Sequence, residues 1–383
     1  MEYRTYSRLV CLLALTIDEQ IKAIEEEIEK TQYNKKTQGH IGLLKAKIAR
    51  LKMEQEKRRA ASGGGGQGYS VKKSGNATVA LVGFPSVGKS TLLTKLTGAK
   101  SDVAAYAFTT LDVIPGLLTY KFAKIQILDM PGLIRDASKG KGRGREVLAV
   151  VRTSDLVFFI VDVFDTNVEV LMNELYSAGI RLNTHPPNVV ITKTDRGGIE
   201  VKPTVTMTKM SVESAAEMIS AYGYVNAEVI IREDIDEEQL IDALTGNRVY
   251  LKAIVAINKI DSAEPKLLKS VKEKMKKYDP VYISANKEIG LDELKERIYK
   301  ELDFIHIFLK PQGMDADMDE PMVIMNGSSI GDLCDRIHRS FRKNFRYAIV
   351  WGKSAKFPGQ TVGVDHILKD GDIVTVVVKR GGD

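Results

Sequence analysis

The first 60 residues carry isoleucine and leucine at steps of three and four, which predicts two amphipathic helices with narrow apolar seams. The seam positions are Ile17, Ile21, Ile24 and Ile28 in the first helix and Ile41, Leu44, Ile48 and Leu51 in the second. A polar break from Asn34 to Gly39 separates the helices, so we expect an antiparallel hairpin. Four consecutive glycines, Gly63–Gly66, then mark a flexible joint.

From residue 79 the pattern changes to short β-branched runs that alternate with helical stretches, which is typical of buried parallel strands in a doubly wound α/β sheet. The expected strands are Val79–Gly83, Ile125–Asp129, Leu156–Asp162, Ala253–Asn258 and Val281–Ser284. About 90 residues separate the third strand from the fourth, which is too long for a simple crossover. They hold strand-like and helix-like pieces of their own, so we expect an inserted α+β subdomain.

After Leu302 four further strands are expected around a single helix, Ser329–Lys343, which predicts a small β-grasp-like module. These strands are Ile305–Leu309, Met322–Met325, Tyr347–Trp351 and Ile373–Lys379. The expected division is a helical domain at 1–66, an α/β domain at 67–166 and 247–303, an insertion at 167–246, and the last module at 304–383.

Charge is distributed unevenly along the chain, although its total is only +6. Residues 35–73 hold eleven basic and two acidic side chains, whereas the chain after residue 75 is neutral overall. A basic block on a neutral remainder favours a polyanionic partner. The two cysteines form no disulfide framework, which predicts a reducing, cytoplasmic location. The apolar run Leu9–Leu15 is too short to span a bilayer, so no membrane partner is expected.

The first α/β strand runs into a glycine-rich loop, Gly83 to Ser90, that matches G-x-x-x-x-G-K-[ST]. Glycine lets the backbone N–H groups of such a loop turn inward to phosphate oxygens. Lys89 supplies positive charge to the β and γ phosphates, and Ser90 offers a hydroxyl to Mg²⁺. The loop lies between an apolar strand and an expected helix, as a phosphate-binding loop requires.

Two further segments are expected to complete a magnesium and phosphate site. Asp129 ends an apolar strand, where its carboxylate can hold Mg²⁺ through water, and the Gly132 amide can sense a γ-phosphate. Thr109 and Thr110 precede them, and a hydroxyl there can close onto Mg²⁺. Either segment alone is a weak signal, but their order along the chain agrees with the loop at Gly83 to Ser90.

Asn258-Lys259-Ile260-Asp261 follows another apolar strand and predicts guanine recognition. A carboxylate at Asp261 can accept hydrogen bonds from guanine N1 and N2, which adenine cannot donate. Ser284-Ala285-Asn286 follows the next strand, where a backbone amide can meet guanine O6. The ordered set of motifs therefore predicts a GTPase fold.

The same motifs resemble those of the developmentally regulated GTP-binding proteins, an archaeal and eukaryotic family of the Obg superfamily. The resemblance starts near Ile17 and includes Tyr347–Gly352, which is similar to part of a TGS domain. It implies an α/β P-loop GTPase with a doubly wound sheet, an N-terminal helical hairpin, an inserted α+β domain like a ribosomal protein, and a C-terminal TGS β-grasp domain. It also implies association with ribosomes and a role in translation.

Carried over by matching position, the resemblance assigns roles to residues of this chain. Phosphates would be bound by Gly83, Phe84, Pro85, Ser86, Val87, Gly88, Lys89 and Ser90, and Mg²⁺ by Ser90, Thr110 and Asp129. The two switches would be Phe108, Thr109, Thr110, Leu111 and Asp112, and Asp129, Met130, Pro131 and Gly132. Guanine would be held by Asn258, Lys259, Asp261, Ser284, Ala285 and Asn286. Lys89, Thr110 and Gly132 would act in GTP hydrolysis.

Departures from common GTPase sequences leave some points open. Leu133 stands where many GTPases carry the glutamine that orients water, which predicts slow intrinsic hydrolysis. Ser86 stands where cation-activated GTPases often carry asparagine, so potassium binding is left open. Arg135-Asp136 replaces the Glu-Gly usual in the family, so the second switch is open to a different behaviour.

Three basic segments are candidate contacts for RNA, each weighed against an ordinary solvated surface. One is the second N-terminal helix with its flank, from Lys35 to Arg59, where only two acids oppose the basic residues. Another is the loop that contains Gly140, Gly142 and Gly144 with Lys139, Lys141, Arg143 and Arg145. This loop is also a candidate contact for a partner protein or a source of positive charge for the phosphates. The third is the C-terminal helix, with Arg336, Arg339, Arg342, Lys343, Arg346 and His338.

The sequence therefore supports two hypotheses. The first is a Mg²⁺-dependent, GTP-hydrolysing switch that docks on the ribosome, with rRNA or a dedicated protein as partner. The second is a scaffold or assembly protein that holds GTP or GDP with little turnover, an alternative that Leu133 keeps open.

Overall fold

The structure is a computed structural model that describes residues 16–32, 37–61, 75–98, 114–130 and 144–379. Its helices are α1 (Ile17–Lys30), α2 (Gln38–Ala61), α3 (Lys89–Thr97), α4 (Gly144–Thr153), α5 (Val168–Ser177), α6 (Val212–Tyr222), α7 (Glu237–Thr245), α8 (Pro265–Met275), α9 (Leu291–Glu301), α10 (Ile330–Ile337) and α11 (Arg339–Lys343). Within these ranges, no helix is long and apolar enough to cross a bilayer.

The strands are numbered in chain order. They are β1 (Ala77–Gly83), β2 (Ile114–Tyr120), β3 (Ala123–Asp129), β4 (Leu156–Asp162), β5 (Ile180–Leu182), β6 (Val189–Lys193), β7 (Ile199–Pro203), β8 (Ala227–Ile231), β9 (Val249–Asn258), β10 (Val281–Tyr282), β11 (Phe304–Leu309), β12 (Met322–Met325), β13 (Phe345–Trp351), β14 (Gln360–Val362) and β15 (Ile373–Val378).

The largest sheet has the order β10-β9-β4-β1-β3-β2, and β5 also pairs with β9. Neighbours from β10 to β3 are parallel, whereas β2 runs antiparallel to β3 at the edge. Successive residues of β1 and β4 alternate between two apolar cores, one on each face of the sheet. Helices α4, α5 and α8 cover one core and α3 and α9 the other, which confirms the expected doubly wound sheet.

The inserted segment leaves this sheet later than the expected boundary at residue 167. Leu171 and Leu175 of α5 are buried in the core of the large sheet, and β5 pairs with β9. Asn183 follows, and its side-chain amide hydrogen bonds to both the N–H and the C=O of Ala253. Because α5 has an apolar face that must be covered, it stays with the sheet, and the separate segment starts at Thr184.

Residues 184–250 form one compact unit together with the N-terminal hairpin rather than apart from it. A mixed sheet of order β6-β8-β7 is covered by α6 and α7, and α2 packs on both helices. Ala46 and Ala49 of α2 share a core with Met218 and Tyr222 of α6. The hairpin seam seen in the sequence therefore accounts for only one of the two buried faces of α2.

The C-terminal module is a five-stranded sheet of order β12-β11-β15-β13-β14 with α10 packed on one face. The expected single helix Ser329–Lys343 is interrupted, because His338 adopts an extended conformation and caps α11 with its own side chain. A capping box between Ser329 and Asp332 starts α10.

Two of the arginines expected to face RNA are engaged with other groups of the protein. The Arg336 guanidinium donates hydrogen bonds to the carbonyl oxygens of Gly75 (2.8 Å) and Asn76 (2.6 Å), at the start of β1. The Asn76 side chain in turn donates to the Val323 carbonyl at 2.6 Å. Arg342 is paired with Asp335 at 2.5 Å. Arg336 therefore ties the C-terminal module to the large sheet.

Replacing Arg336 by alanine should lower the free energy of unfolding by about 1–2 kcal/mol, because two charge-assisted hydrogen bonds to backbone carbonyls are lost. Urea unfolding of the whole chain measures the change. Arg346→Ala is the matched control, since its exposed guanidinium lies 5.8 Å from the Tyr347 ring centre and should matter by less than about 0.5 kcal/mol. Equal effects of the two substitutions would contradict the role given to Arg336.

Candidate functional site

The carboxyl ends of β1, β3, β4 and β9 meet at one edge of the large sheet. The parallel register places Leu81 beside Asp129 and Asp162 beside Asn258. Ligands of open α/β sheets bind outside this edge. The candidate phosphate and guanine residues are therefore brought together by strands that are far apart in sequence.

The glycine-rich loop joins β1 to α3 and has no room for side chains at two of its glycines. A Cβ atom on Gly83 would overlap the backbone oxygen of Ile160. Gly88 has φ +97°, and a Cβ there would lie 2.5 Å from Nδ2 of Asn258. The N-cap residue of α3 is Gly88, which has no side chain to cap the N–H groups of the first turn. Such an end attracts phosphate.

The Lys89 ammonium lies back over this loop. It donates hydrogen bonds to the carbonyl oxygens of Gly83 and Phe84, both at 2.9 Å. Burial lowers the pKa of Lys89, and the charge of Asp129 opposes that shift. Phosphate oxygens would give this ammonium charged acceptors in place of neutral carbonyls.

Asp129 and Ser90 have the donor chemistry that a magnesium ion needs. Ser90 Oγ donates to Asp129 Oδ2 at 3.1 Å, whereas Asp129 Oδ1 is buried without a hydrogen-bond partner in the described part of the chain. Burial raises the pKa of Asp129, and both Lys89 and the Ser90 hydroxyl oppose the rise. A buried oxygen of this kind fits a hard cation, which would take its remaining ligands from phosphate and water.

Asn258 connects the expected guanine site to the phosphate loop. Its Nδ2 donates to the Val87 carbonyl at 2.9 Å, and its Oδ1 accepts from the Ala285 N–H at 2.9 Å. The side chain is buried, and both halves of its amide are used. Three segments that are separate in the sequence are thereby held in one arrangement.

Lys259 is held by a residue that the sequence analysis did not assign to the site. It adopts a left-handed conformation (φ +63°), and its Nζ donates to the Ser86 carbonyl at 2.8 Å and to Asp162 Oδ2 at 2.7 Å. The other oxygen of Asp162 accepts the N–H groups of Phe164 and Asp165. Burial alone would raise the pKa of Asp162, but these hydrogen bonds outweigh it and hold the pKa below its usual range.

One signal in the sequence could have found Asp162. It is a charged residue that ends a fully buried apolar strand, and Asp129 likewise ends β3. No local motif surrounds it, however, and its link to Lys259 depends on the pairing of β4 with β9.

Asp261 lies beside Ser284, which lowers the pKa of Asp261 by a hydrogen bond from its hydroxyl. The carboxylate is exposed and ionised at neutral pH, so it can accept hydrogen bonds from a ligand. It opens on a cavity of about 170 Å³. The cavity is lined by Ser86, Gly88, Thr91, Asn258, Lys259, Asp261, Ser284, Ala285 and Asn286.

The other predicted site residues fall into two groups. Phe84 is half-buried, Pro85 is exposed, and Met130 is buried with its N–H bonded to the Leu81 carbonyl at 3.1 Å. The remaining switch residues lie outside the described residues: Phe108, Thr109, Thr110, Leu111, Asp112, Pro131, Gly132, Leu133, Arg135 and Asp136. The same holds for most of the basic loop that ends at Gly144.

Three family models match successive segments of this chain. A family model described as a 50S ribosome-binding GTPase matches residues 78–193. The C-terminal region of the MMR_HSR1 domain matches residues 196–304, and the TGS domain matches residues 305–378. The expected fold class, a P-loop GTPase with a C-terminal TGS domain, is therefore confirmed.

Relatives match along nearly the whole length. An uncharacterised GTP-binding protein of Methanocaldococcus jannaschii is 55% identical over 367 residues, which cover 95% of this chain and 93% of that protein. Developmentally-regulated G-protein 3 of Arabidopsis thaliana is 44% identical over 95% of this chain and 99% of its own length. The chain belongs to the developmentally regulated GTP-binding protein (DRG) family. A Dictyostelium discoideum homolog of DRG protein 1 is likewise 44% identical over 95% of this chain and all of that protein.

In this DRG-family chain, Gly88→Ala should weaken GDP binding by tenfold or more, because the new methyl group displaces the Asn258 amide. Gly98→Ala is the matched control: Gly98 also has positive φ (+78°), but no atom of the described residues lies within 4 Å of its Cβ position. Both variants should lose about 1–2 kcal/mol of stability from backbone strain. Fluorescent GDP titration measures binding, and similar affinity of the two variants would contradict the assignment.

Asp129→Asn should stabilise the nucleotide-free DRG protein at neutral pH, because a buried carboxylate is replaced by a neutral group of the same shape. Burial raises the pKa of Asp129. The cost of its charge is therefore absent below the pKa of the unfolded carboxyl and fully present above the folded pKa. The advantage of the variant should grow as pH rises through that window, which urea unfolding across the pH range measures.

With magnesium and GTP present, the wild type should instead have the advantage over Asp129→Asn. Magnesium should tighten GTP binding to the wild-type DRG protein and have little effect on Asp129→Asn, in which a charged ligand is missing. Ser90→Ala provides a second variant, which should lose part of the magnesium effect while keeping the buried carboxylate. Its pH dependence should become larger, because the Ser90 hydroxyl no longer opposes the rise in the pKa of Asp129. An equal magnesium effect on all three proteins would exclude Asp129 and Ser90 as ligands.

Proposed function

We propose that this DRG-family chain is a Mg²⁺-dependent molecular switch that hydrolyses GTP to GDP and phosphate. The observation that carries the proposal is the amide of Asn258, which joins the phosphate loop at Val87 to the guanine loop at Ala285. Asp261 supports guanine selectivity, since its carboxylate matches guanine N1 and N2. Asp129 and Ser90 support the magnesium site.

Intrinsic hydrolysis is proposed to be slow. Leu133 has no group that can orient water, so an activating partner or a cation would have to complete the site. A potassium ion near Ser86 would have to use the hydroxyl, because the Ser86 carbonyl already accepts a hydrogen bond from the Lys259 ammonium. Stimulation of turnover by potassium, measured against sodium, tests that role.

The proposed partner is ribosomal RNA on the ribosome, alone or with a dedicated protein partner. Support comes from the description of the matched family as ribosome-binding and from basic residues at the N-terminus and in the TGS domain. Some of these basic residues already pair with groups of the protein. In α2, Lys45 pairs with Glu238 (2.7 Å) and Lys52 pairs with Glu25 (3.7 Å). In the TGS domain, Arg336 donates hydrogen bonds to the carbonyl oxygens of Gly75 and Asn76.

A scaffold that holds GTP or GDP with little turnover is the alternative, favoured by Leu133 alone. Turnover measured with and without ribosomes and potassium separates the two functions. Stimulation by either supports the switch. Absence of stimulation under every condition, with tight nucleotide binding retained, supports the scaffold.

Asp261→Asn should change the nucleotide preference from GTP to XTP by at least two orders of magnitude, because an amide matches the N1 and O2 pattern of xanthine and mismatches guanine. Competition titrations with GTP, XTP and ATP measure the preference. Asp292→Asn is a matched exposed control and should keep the GTP preference. A variant at Asp261 that still prefers GTP would overturn the guanine assignment.

A further inference from the structure

A dense run of positive charge lies on α8 and on the 3₁₀ turn Lys276–Tyr278 that follows it. Between Pro265 and Asp279 the chain carries six lysines and two acidic residues. All six lysines are exposed. The neutral balance of the chain after residue 75 conceals this run, because acids elsewhere cancel it in the total.

Four of these lysines share one side of the helix and are called the lysine face: Lys266, Lys269, Lys272 and Lys276. Residues three and four apart lie on the same side of a helix. At 1.5 Å per residue, the face is about 15 Å long. The opposite side is fixed in the core by Val271 and Met275, which are buried. The lysine face therefore points outward and cannot turn inward without exposing that core.

Two acids that lie near the lysine face in the described structure are engaged with other cations. Glu169 pairs with Lys277 at 2.6 Å, and Asp279 pairs with Arg297 at 2.6 Å. Glu273 lies on the same side of the helix, four residues after Lys269 and three before Lys276, and Glu264 precedes the helix. The four lysines outnumber these two acids. Lys272 lies 5.2 Å from the ring centre of Tyr282, whose pKa is raised by burial, so that ring carries no opposing charge at neutral pH.

We propose that the lysine face binds the phosphate backbone of an RNA helix. Ammonium groups on such a face release condensed counterions when they meet phosphates, which gives affinity without base recognition. A bilayer is disfavoured as the partner, because a helix that lies on a membrane inserts exposed apolar side chains. On α8, Leu267 and Leu268 pack against the protein core instead.

The lysine face lies close in sequence to the candidate guanine loop. α8 begins four residues after Asp261 and is joined to it by the 3₁₀ turn Ile260–Ser262. RNA would therefore be bound by the helix that directly follows the guanine loop. This contact would deepen the proposed role on the ribosome, on which the identity of the RNA as ribosomal depends.

The experiment compares the full-length chain with a triple variant, Lys266→Gln, Lys269→Gln and Lys276→Gln. The matched control removes three positive charges that are already paired: Lys30→Gln, Lys202→Gln and Lys295→Gln. Fluorescence anisotropy with a 20-base-pair RNA duplex of arbitrary sequence measures affinity at several salt concentrations. GDP affinity is measured in parallel and should be unchanged in both variants.

The lysine-face variant should show a salt dependence of log K that is shallower by about 2, since about 0.7–0.9 of a counterion is released for each phosphate contact. The control should retain the wild-type slope. Equal slopes for the two variants would overturn the inference while leaving the GTPase proposal intact. Failure of the wild-type chain to bind GDP would instead overturn the proposed function. Binding to phosphatidylserine vesicles but not to the RNA duplex would replace RNA with a membrane surface and would also overturn the inference.

Discussion

The candidate nucleotide site depends on the hydrogen bonds of one buried amide, the side chain of Asn258. It spends its donor on the phosphate loop and its acceptor on the guanine loop, so the two halves of the site are fixed relative to each other before any ligand binds. Leaving either buried partner unsatisfied costs about 1–3 kcal/mol. Gly88 must lack a side chain for this arrangement to exist. The ion pair between Lys259 and Asp162, which ends β4, is a further contact in the same region.

Around Asn258, the charged groups are placed so that a bound ligand would stabilise them. Asp129 has a buried oxygen without a partner in the described structure, and burial disfavours the charge on both Asp129 and Lys89. A metal ion and phosphate oxygens would supply what each group lacks. Such local instability is common at functional sites, where the surrounding structure compensates for it. The two apolar cores of the sheet provide that compensation here.

Net charge becomes informative only when its neighbours in space are known. The basic helix α2 is a strong candidate for RNA when only its own sequence is considered, yet Glu25 and Glu238 neutralise part of it from other elements. Arg336 looks like a surface cation but is bonded to backbone carbonyls. Conversely, α8 lies in a stretch that is neutral overall, and its lysines nevertheless share one outward side. Electrostatic complementarity is a property of surfaces, which sequence counts average away.

The sequence by itself identified the parallel strands and the segments that we propose as the phosphate loop and the guanine loop. These features are local, because each motif of a few residues directly follows an apolar run. The need to keep the same side chains buried also restricts each strand to one pairing register. It did not determine the boundary at Thr184, the second buried face of α2, or the roles of Asp162 and Arg336. Each of those depends on contacts between residues far apart in the chain, such as Lys259 with Asp162 across β4 and β9. No local pattern encodes such a contact, because its energy exists only once the sheet has formed. Tertiary structure therefore decided which charges serve the site, which hold the domains, and which remain free to meet a partner.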